Sequence, residues 1–210
     1  MLNTNEKIKL LETYVITEAS FNQYLSEPYF TPKELRLIRK NCDLFAKNGT
    51  LRLLRFARSQ TPPYFWNELT CSSAAEGGHL NILQWCRSQV PPCPWSVVTC
   101  ATAASKGRLD ILQWCRSQNP PCPWNEFTCL NAVKNGRLDI LQWCRSQNPP
   151  CPWNEFTCTE AARNGRLDIL QWCRSQNPPC PWNEVTCGDA KMYNQLNIVQ
   201  WLNDNGLPCR

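Results

Sequence analysis

The chain has 210 residues, a formal net charge of +5 at pH 7 and 42% hydrophobic residues, values that suit one or two folded domains. Its mild positive charge is not clustered, which argues against a dedicated nucleic-acid-binding protein. No run approaches about 18 consecutive apolar residues, so the sequence predicts no transmembrane helix.

The first seven residues lack the basic-then-apolar pattern of a signal peptide, so we expect the protein to stay inside the cell that makes it. The chain contains 10 Trp, 17 Pro and 15 Cys. An odd number of cysteines without a secretion signal predicts reduced thiols in a reducing compartment.

The N-terminal segment differs from the rest of the chain. Residues 5–26 carry apolar side chains at helical spacing among polar ones and predict an amphipathic helix. Residues 31–34, Thr-Pro-Lys-Glu, form a capping box with proline at N1 and predict a helix that continues to about Ala46. Because a stack of repeats needs a more polar terminal unit, we interpret residues 1–36 as a capping segment and 37–210 as a repeat array.

Residues recur at a step of 29 along the array. Two tryptophan series share the step with one series each of cysteine, leucine and glycine. One of these series is Trp85, Trp114, Trp143, Trp172 and Trp201. The array therefore holds about six units, of which the first is degenerate and the last is truncated.

One unit extends from residue 153 to residue 181. Asn154 is a good N-cap for a first helix, called the A helix, and Gly165 ends that helix as its left-handed C′ residue. A second helix, the B helix, begins near Leu167. The proline-rich residues 177–181 cannot continue a helix and predict an extended connector.

Each predicted helix has only about ten residues and is too short to be stable alone. Stacking of neighbouring units must therefore supply the stability. The array shows no period-2 alternation that would indicate a strand, so we predict an all-α fold.

Residues 161–172, Ala-Ala-Arg-Asn-Gly-Arg-Leu-Asp-Ile-Leu-Gln-Trp, resemble the centre of an ankyrin repeat, and residues 76–83 keep the Gly-His pair typical of that family. The resemblance covers residues 41–210 and implies an ankyrin-like solenoid of about six helix–turn–helix units with an N-terminal capping helix. It also implies that the A helices line a concave, ligand-facing groove. Because the units are shorter than usual and carry a Pro-Pro-Cys-Pro-Trp connector, they resemble the divergent ankyrin arrays of large DNA viruses, algae and other protists.

The cysteines leave three interpretations open. Cys173, Cys180 and Cys187 are seven residues apart and form no C-x-x-C pair, which argues against zinc. By the resemblance, Cys158 and Cys173 take places where ankyrin repeats carry core leucines. We expect the cysteines to pack as small hydrophobes, with a disulfide between connector and helix as the alternative. We predict no metal and no cofactor.

The tryptophans and arginines also have two interpretations each. Burial of a Trp is worth on the order of 5 kcal/mol gross, against about 1–3 kcal/mol for stacking a nucleic-acid base, so we expect the tryptophans to pack within the array. We expect solvated, salt-bridged arginine rows, with nucleic-acid binding as the alternative. The rows are Arg87, Arg116, Arg145 and Arg174, and Arg108, Arg137 and Arg166.

Three positions of the A helix vary among otherwise similar units. They are spaced i, i+1 and i+4 and share one side of the helix, which fits a recognition surface; free drift of exposed positions is the alternative. The predicted partner-binding residues are Ser72, Ser73, Glu76, Thr102, Ser105, Leu130, Asn131, Lys134, Thr159, Glu160, Arg163 and Asp189.

No nucleophile, base and orienting group can be assembled from the sequence, so we predict a protein that is not an enzyme. We expect a monomeric, cytoplasmic scaffold that binds a protein partner through its A helices. The partner would be a host factor, met in the host cytoplasm, if the source is viral. The alternatives are a nucleic-acid-binding array and a ubiquitin-ligase substrate adaptor acting through the N-terminal segment.

Overall fold

A computed structural model describes residues 6–8 and 42–209 of the protein. Within them the chain forms helices and no strand, which confirms the all-α prediction. Residues 6–8 are helical, and Ile8 is buried. The rest of the predicted capping segment, including the capping box at 31–34, lies outside the described residues. None of the described helices is both long and apolar enough to cross a membrane.

Residues 42–209 form six successive pairs of one A helix and one B helix. The A helices are α1 (Cys42–Asn48), α3 (Glu68–Gly77), α5 (Val97–Ser105), α7 (Glu126–Lys134), α9 (Glu155–Arg163) and α11 (Glu184–Met192). The B helices are α2 (Leu51–Ser59), α4 (Leu80–Ser88), α6 (Leu109–Ser117), α8 (Leu138–Ser146), α10 (Leu167–Ser175) and α12 (Leu196–Asp204). The helix starts predicted for the unit at residues 153–181 are confirmed.

The chain divides into two compact units, Met1–Thr99 and Cys100–Arg210. In the first, α1 packs on α2 and on α3, and α3 packs on α4. In the second, α7, α9 and α11 pack in succession, and each also packs on its own B helix. This order of packing is that of a helical repeat array.

Asparagine caps start four of the six A helices. The Asn154 side chain accepts a hydrogen bond of 3.2 Å from the backbone N–H of Phe156, and the Asn154 N–H donates to Thr157 Oγ1 over 3.4 Å. Thr157 is fully buried, so the capping box also turns the helix towards the core. Asn183 and Thr186 repeat this box in the last pair.

Glycine follows the A helix because the chain there adopts a left-handed conformation that other residues rarely take. Gly165 has a φ of +69°, the left-handed conformation expected at C′. A Cβ at this position would lie 2.6 Å from Oε1 of Gln195, which belongs to the following pair. Arg166 covers Gly136 in the same way.

The core lies between the two helices of each pair and combines small A-helix side chains with larger B-helix ones. The B helix supplies an Ile-Leu pair and a cysteine one turn later, as in Ile140, Leu141 and Cys144, all fully buried. Small residues such as Ala132 let α7 approach this layer closely.

One arginine holds each connector. Arg145, in the last turn of α8, lies 3.9 Å from the ring centroid of Trp153 and donates a 2.6 Å hydrogen bond from Nη1 to the Cys151 carbonyl. Trp153 meets Trp172 edge to face, with the ring centroids 6.1 Å apart. The same arginine–tryptophan contact recurs at Arg58 and Trp66, Arg87 and Trp95, Arg116 and Trp124, and Arg174 and Trp182.

We predict that Arg116→Ala lowers the free energy of unfolding by about 2 kcal/mol, because it removes a cation–π contact and a charge-assisted hydrogen bond together. Arg166→Ala, which removes an exposed arginine, should change it by no more than about 0.5 kcal/mol. Urea unfolding followed by circular dichroism measures both variants. Equal losses in the two would contradict a special role for the connector arginines.

Candidate functional site

The structure places the twelve predicted partner-binding residues in different environments. Lys134 is exposed, while Ser73, Glu76, Thr102, Ser105, Leu130, Asn131, Glu160, Arg163 and Asp189 are half-buried, and Ser72 and Thr159 are buried. The Ser72 hydroxyl donates to the Leu69 carbonyl over 3.0 Å. The Thr159 hydroxyl lies 3.0 Å from that of Thr186 on the next A helix. Ser72 and Thr159 are therefore structural residues that a partner could not contact directly.

Several of the half-buried residues are paired with a neighbouring A helix. Arg163 donates to Asp189 over 2.8 and 3.0 Å, and it also reaches Glu160 over 3.4 Å. The hydrogen bond to Asp189 raises the pKa of Arg163. In the first unit, Lys47 and Glu76 form an ion pair of 2.9 Å. These side chains connect successive A helices.

The polar side chains of α7 are less constrained by neighbours. The Asn131 amide donates to the Phe127 carbonyl of its own helix over 2.9 Å. Ser105 accepts a 3.3 Å hydrogen bond from Asn135, which follows α7. Leu130 and Lys134 complete the accessible side of this helix.

A repeated line of exposed apolar side chains on the A helices was not predicted from the sequence. Phe127, Phe156 and Val185 occupy the second residue of α7, α9 and α11 and are 53%, 55% and 51% exposed. In the first unit, Leu69 and Val98 hold the equivalent positions and are also exposed. The sequence carried a signal for this feature, because the second residue of the A helix is apolar in five repeats. That residue lies beside the buried face of the helix and not on it.

A glutamate directly precedes Phe127, Phe156 and Val185 in the chain. Glu126, Glu155 and Glu184 are the first residues of α7, α9 and α11. The helix dipole stabilises a negative charge at this end of a helix. All three lie outside the ion pairs formed within residues 42–209. We call the three apolar residues with their three carboxylates the first-turn row.

The connector arginines are engaged within the protein, whereas in the second row only Arg137 forms an ion pair within residues 42–209, and Arg108 and Arg166 are exposed. The connector arginines stack on tryptophan and donate to backbone carbonyls, as described for Arg145. In the second row, Arg137 forms a two-point ion pair with Asp139 at 3.1 and 2.7 Å, and that hydrogen bonding lowers the pKa of Asp139. Arg166 is exposed and lies over Gly136.

Thirteen cysteines are free and buried, as expected for packing residues. Twelve of them form four clusters of three, such as Cys129, Cys144 and Cys151, and Cys42 belongs to none of these clusters. Hydrogen bonds to the Cys144 and Cys151 thiols, followed by burial, raise the pKa of Cys129 well above its usual range. No group of metal-binding geometry occurs among the residues that the structure describes.

The remaining two cysteines form a disulfide between Cys187 of α11 and Cys209 near the end of the chain. The expectation of reduced thiols is therefore wrong for this pair. Cys187 and Cys209 occupy the A-helix and connector positions of a cluster, and Leu202 replaces the B-helix cysteine, so the two thiols have each other as partner. The alternative interpretation, a disulfide between connector and helix, holds for the last helix pair.

No protein-family model matches the sequence, and no curated protein shows significant similarity to it. The ankyrin resemblance therefore rests on the motif residues alone. The comparisons therefore give no family and no function.

We predict that a soluble disulfide reagent such as dithionitrobenzoate reacts slowly with the native protein and rapidly with 13 thiols after unfolding in urea. Burial in the core keeps all of these thiols out of the reagent's reach. Reduction before unfolding should raise the count to the full 15. Rapid labelling of several thiols in the native protein would contradict the buried clusters.

Proposed function

We propose that this protein is a non-enzymatic, ankyrin-like repeat scaffold that binds a protein partner through the A helices of its second unit. The observation that carries the proposal is the exposed apolar part of the first-turn row, Phe127, Phe156 and Val185. The helical repeat array and the Ala-Ala, Gly and Leu positions of residues 161–167 support the ankyrin-like interpretation.

The fold leaves about half of each of these large apolar side chains exposed. The cores of the pairs are already filled by small A-helix residues and by the Ile-Leu pairs of the B helices. Covering the exposed half of Phe127 or Phe156, on the order of 100 Å², would be worth about 2.5 kcal/mol gross per ring. Aromatic side chains are enriched at protein interfaces for this reason.

Part of the predicted partner-binding set extends this surface. Leu130 lies three residues after Phe127, so the two share one side of α7, and Asn131 and Lys134 continue that side. Thr159 and Ser72 drop out because they are buried, and the Arg163–Asp189 pair helps to join the helices. The proposed surface is therefore narrower than the variable positions and is centred on the first turns.

The two alternatives receive no comparable support. The connector arginines already use their guanidinium groups on tryptophan rings and carbonyls, which leaves them poorly placed to bind phosphates. A ubiquitin-ligase adaptor would depend on residues 1–40, of which the structure describes only 6–8. A binding scaffold remains the function that the described residues favour.

We predict that a protein partner captured from lysate of the source cells is lost by the variant Phe127→Ser/Phe156→Ser. The control variant Val90→Ser/Leu196→Ser also removes two large apolar side chains, 98% and 68% exposed, but from a connector and a B helix, and should keep the partner. Affinity capture with mass spectrometry, on proteins with equal circular dichroism spectra, makes the comparison.

Two results would contradict the proposed function. One is an unchanged catch by the folded Phe127→Ser/Phe156→Ser variant. The other is a catch that consists of nucleic acid and is released steeply as salt rises, which would favour the arginine rows.

A further inference from the structure

The first-turn row has a glutamate followed by an exposed apolar residue on each of three successive A helices. The N-caps Asn125, Asn154 and Asn183 have nearly equal backbone angles, with φ between −145° and −149° and ψ between −170° and −174°. Each cap is followed by a glutamate and then by the exposed apolar residue. Because the caps are equivalent and the helices pack in succession, the apolar residues and the carboxylates form two parallel lines.

The charge on the A helices is polarised along their length. Carboxylates occupy the first turns, whereas Lys134, Arg163 and Lys191 occupy the last turns. Asp189 and Glu160 neutralise Arg163, whereas the first-turn glutamates lie outside the ion pairs formed within residues 42–209, so a basic ligand is attracted most strongly to the first turns. Charge therefore places such a ligand on the line of exposed apolar side chains.

The spacing of the row fits an extended chain. Packed helices lie about 8–10 Å apart, so one first turn follows the next at roughly that distance. A polyproline II segment has three residues per turn and a rise of about 3.1 Å, and so repeats every ~9.3 Å with every third side chain on one edge. An α-helical ligand would cover the same distance in about six residues, whose side chains do not share a face.

We propose that the first turns of α7, α9 and α11 bind an extended basic peptide segment with an apolar side chain at every third residue. Its apolar side chains pack against Phe127, Phe156 and Val185, and its lysines or arginines pair with the adjoining glutamates. This inference rests on the proposed function and adds the chemistry of the partner's binding segment.

The test uses a fluorescein-labelled nonapeptide, three repeats of Leu-Pro-Lys, and fluorescence anisotropy with the full chain. One comparison peptide replaces every lysine with glutamate. A second has the same composition but places its three leucines side by side. We expect the first peptide to bind at least about tenfold more tightly than either comparison peptide.

Matched protein variants locate the binding. Glu126→Lys/Glu155→Lys should weaken binding of the Leu-Pro-Lys peptide about tenfold and improve binding of the glutamate peptide. Asp110→Lys/Asp168→Lys makes the same charge change in the first turns of two B helices, α6 and α10, and should leave both affinities unchanged. The matched design separates the site from the net charge of the protein.

The proposal is overturned if the native chain does not bind the Leu-Pro-Lys peptide, if it binds both charge forms or both spacings equally, or if the Asp110/Asp168 variant loses as much affinity. These results leave the proposed function standing when capture of a protein partner still depends on Phe127 and Phe156. Loss of that dependence in the capture experiment removes the proposed function itself.

Discussion

The contact between a connector arginine and the tryptophan that precedes the next A helix is the interaction on which each repeat junction depends. Arg145 lies in the last turn of α8, stacks on Trp153 and donates a hydrogen bond to the carbonyl of Cys151. One guanidinium therefore holds a proline-rich segment that has no helical hydrogen bonds of its own. Trp153 directly precedes the cap Asn154, and the junction therefore sets the direction in which α9 begins.

The variable positions of the A helices serve the array as well as its surface. Arg163 pairs with Asp189 across one junction, and Thr159 meets Thr186 across the same junction. Variation at such positions can distinguish one neighbour from another within the stack. The position of Phe156, which is apolar in five repeats, is then the better candidate for a binding function, because about half of its side chain stays exposed.

Local features of the units could be predicted from the sequence, and features that depend on neighbouring units could not. The cap Asn154 and the terminator Gly165 were predictable because each acts within a few residues of its own position. The exposure of Phe156 was not, since a one-residue step decides that the small Thr157 faces the core and the large aromatic faces outward. The burial of Thr159 depends on a helix 27 residues further along the chain.

A double-mutant cycle on Arg145 and Trp153 tests the central claim most directly. The free energies of unfolding of Arg145→Ala, Trp153→Leu and the double variant give the coupling energy of the pair. The account predicts a favourable coupling of about 1 kcal/mol or more, as expected for a stacked arginine and tryptophan shielded from solvent. Additive losses, with a coupling below about 0.3 kcal/mol, would contradict the claim that this contact holds the junction.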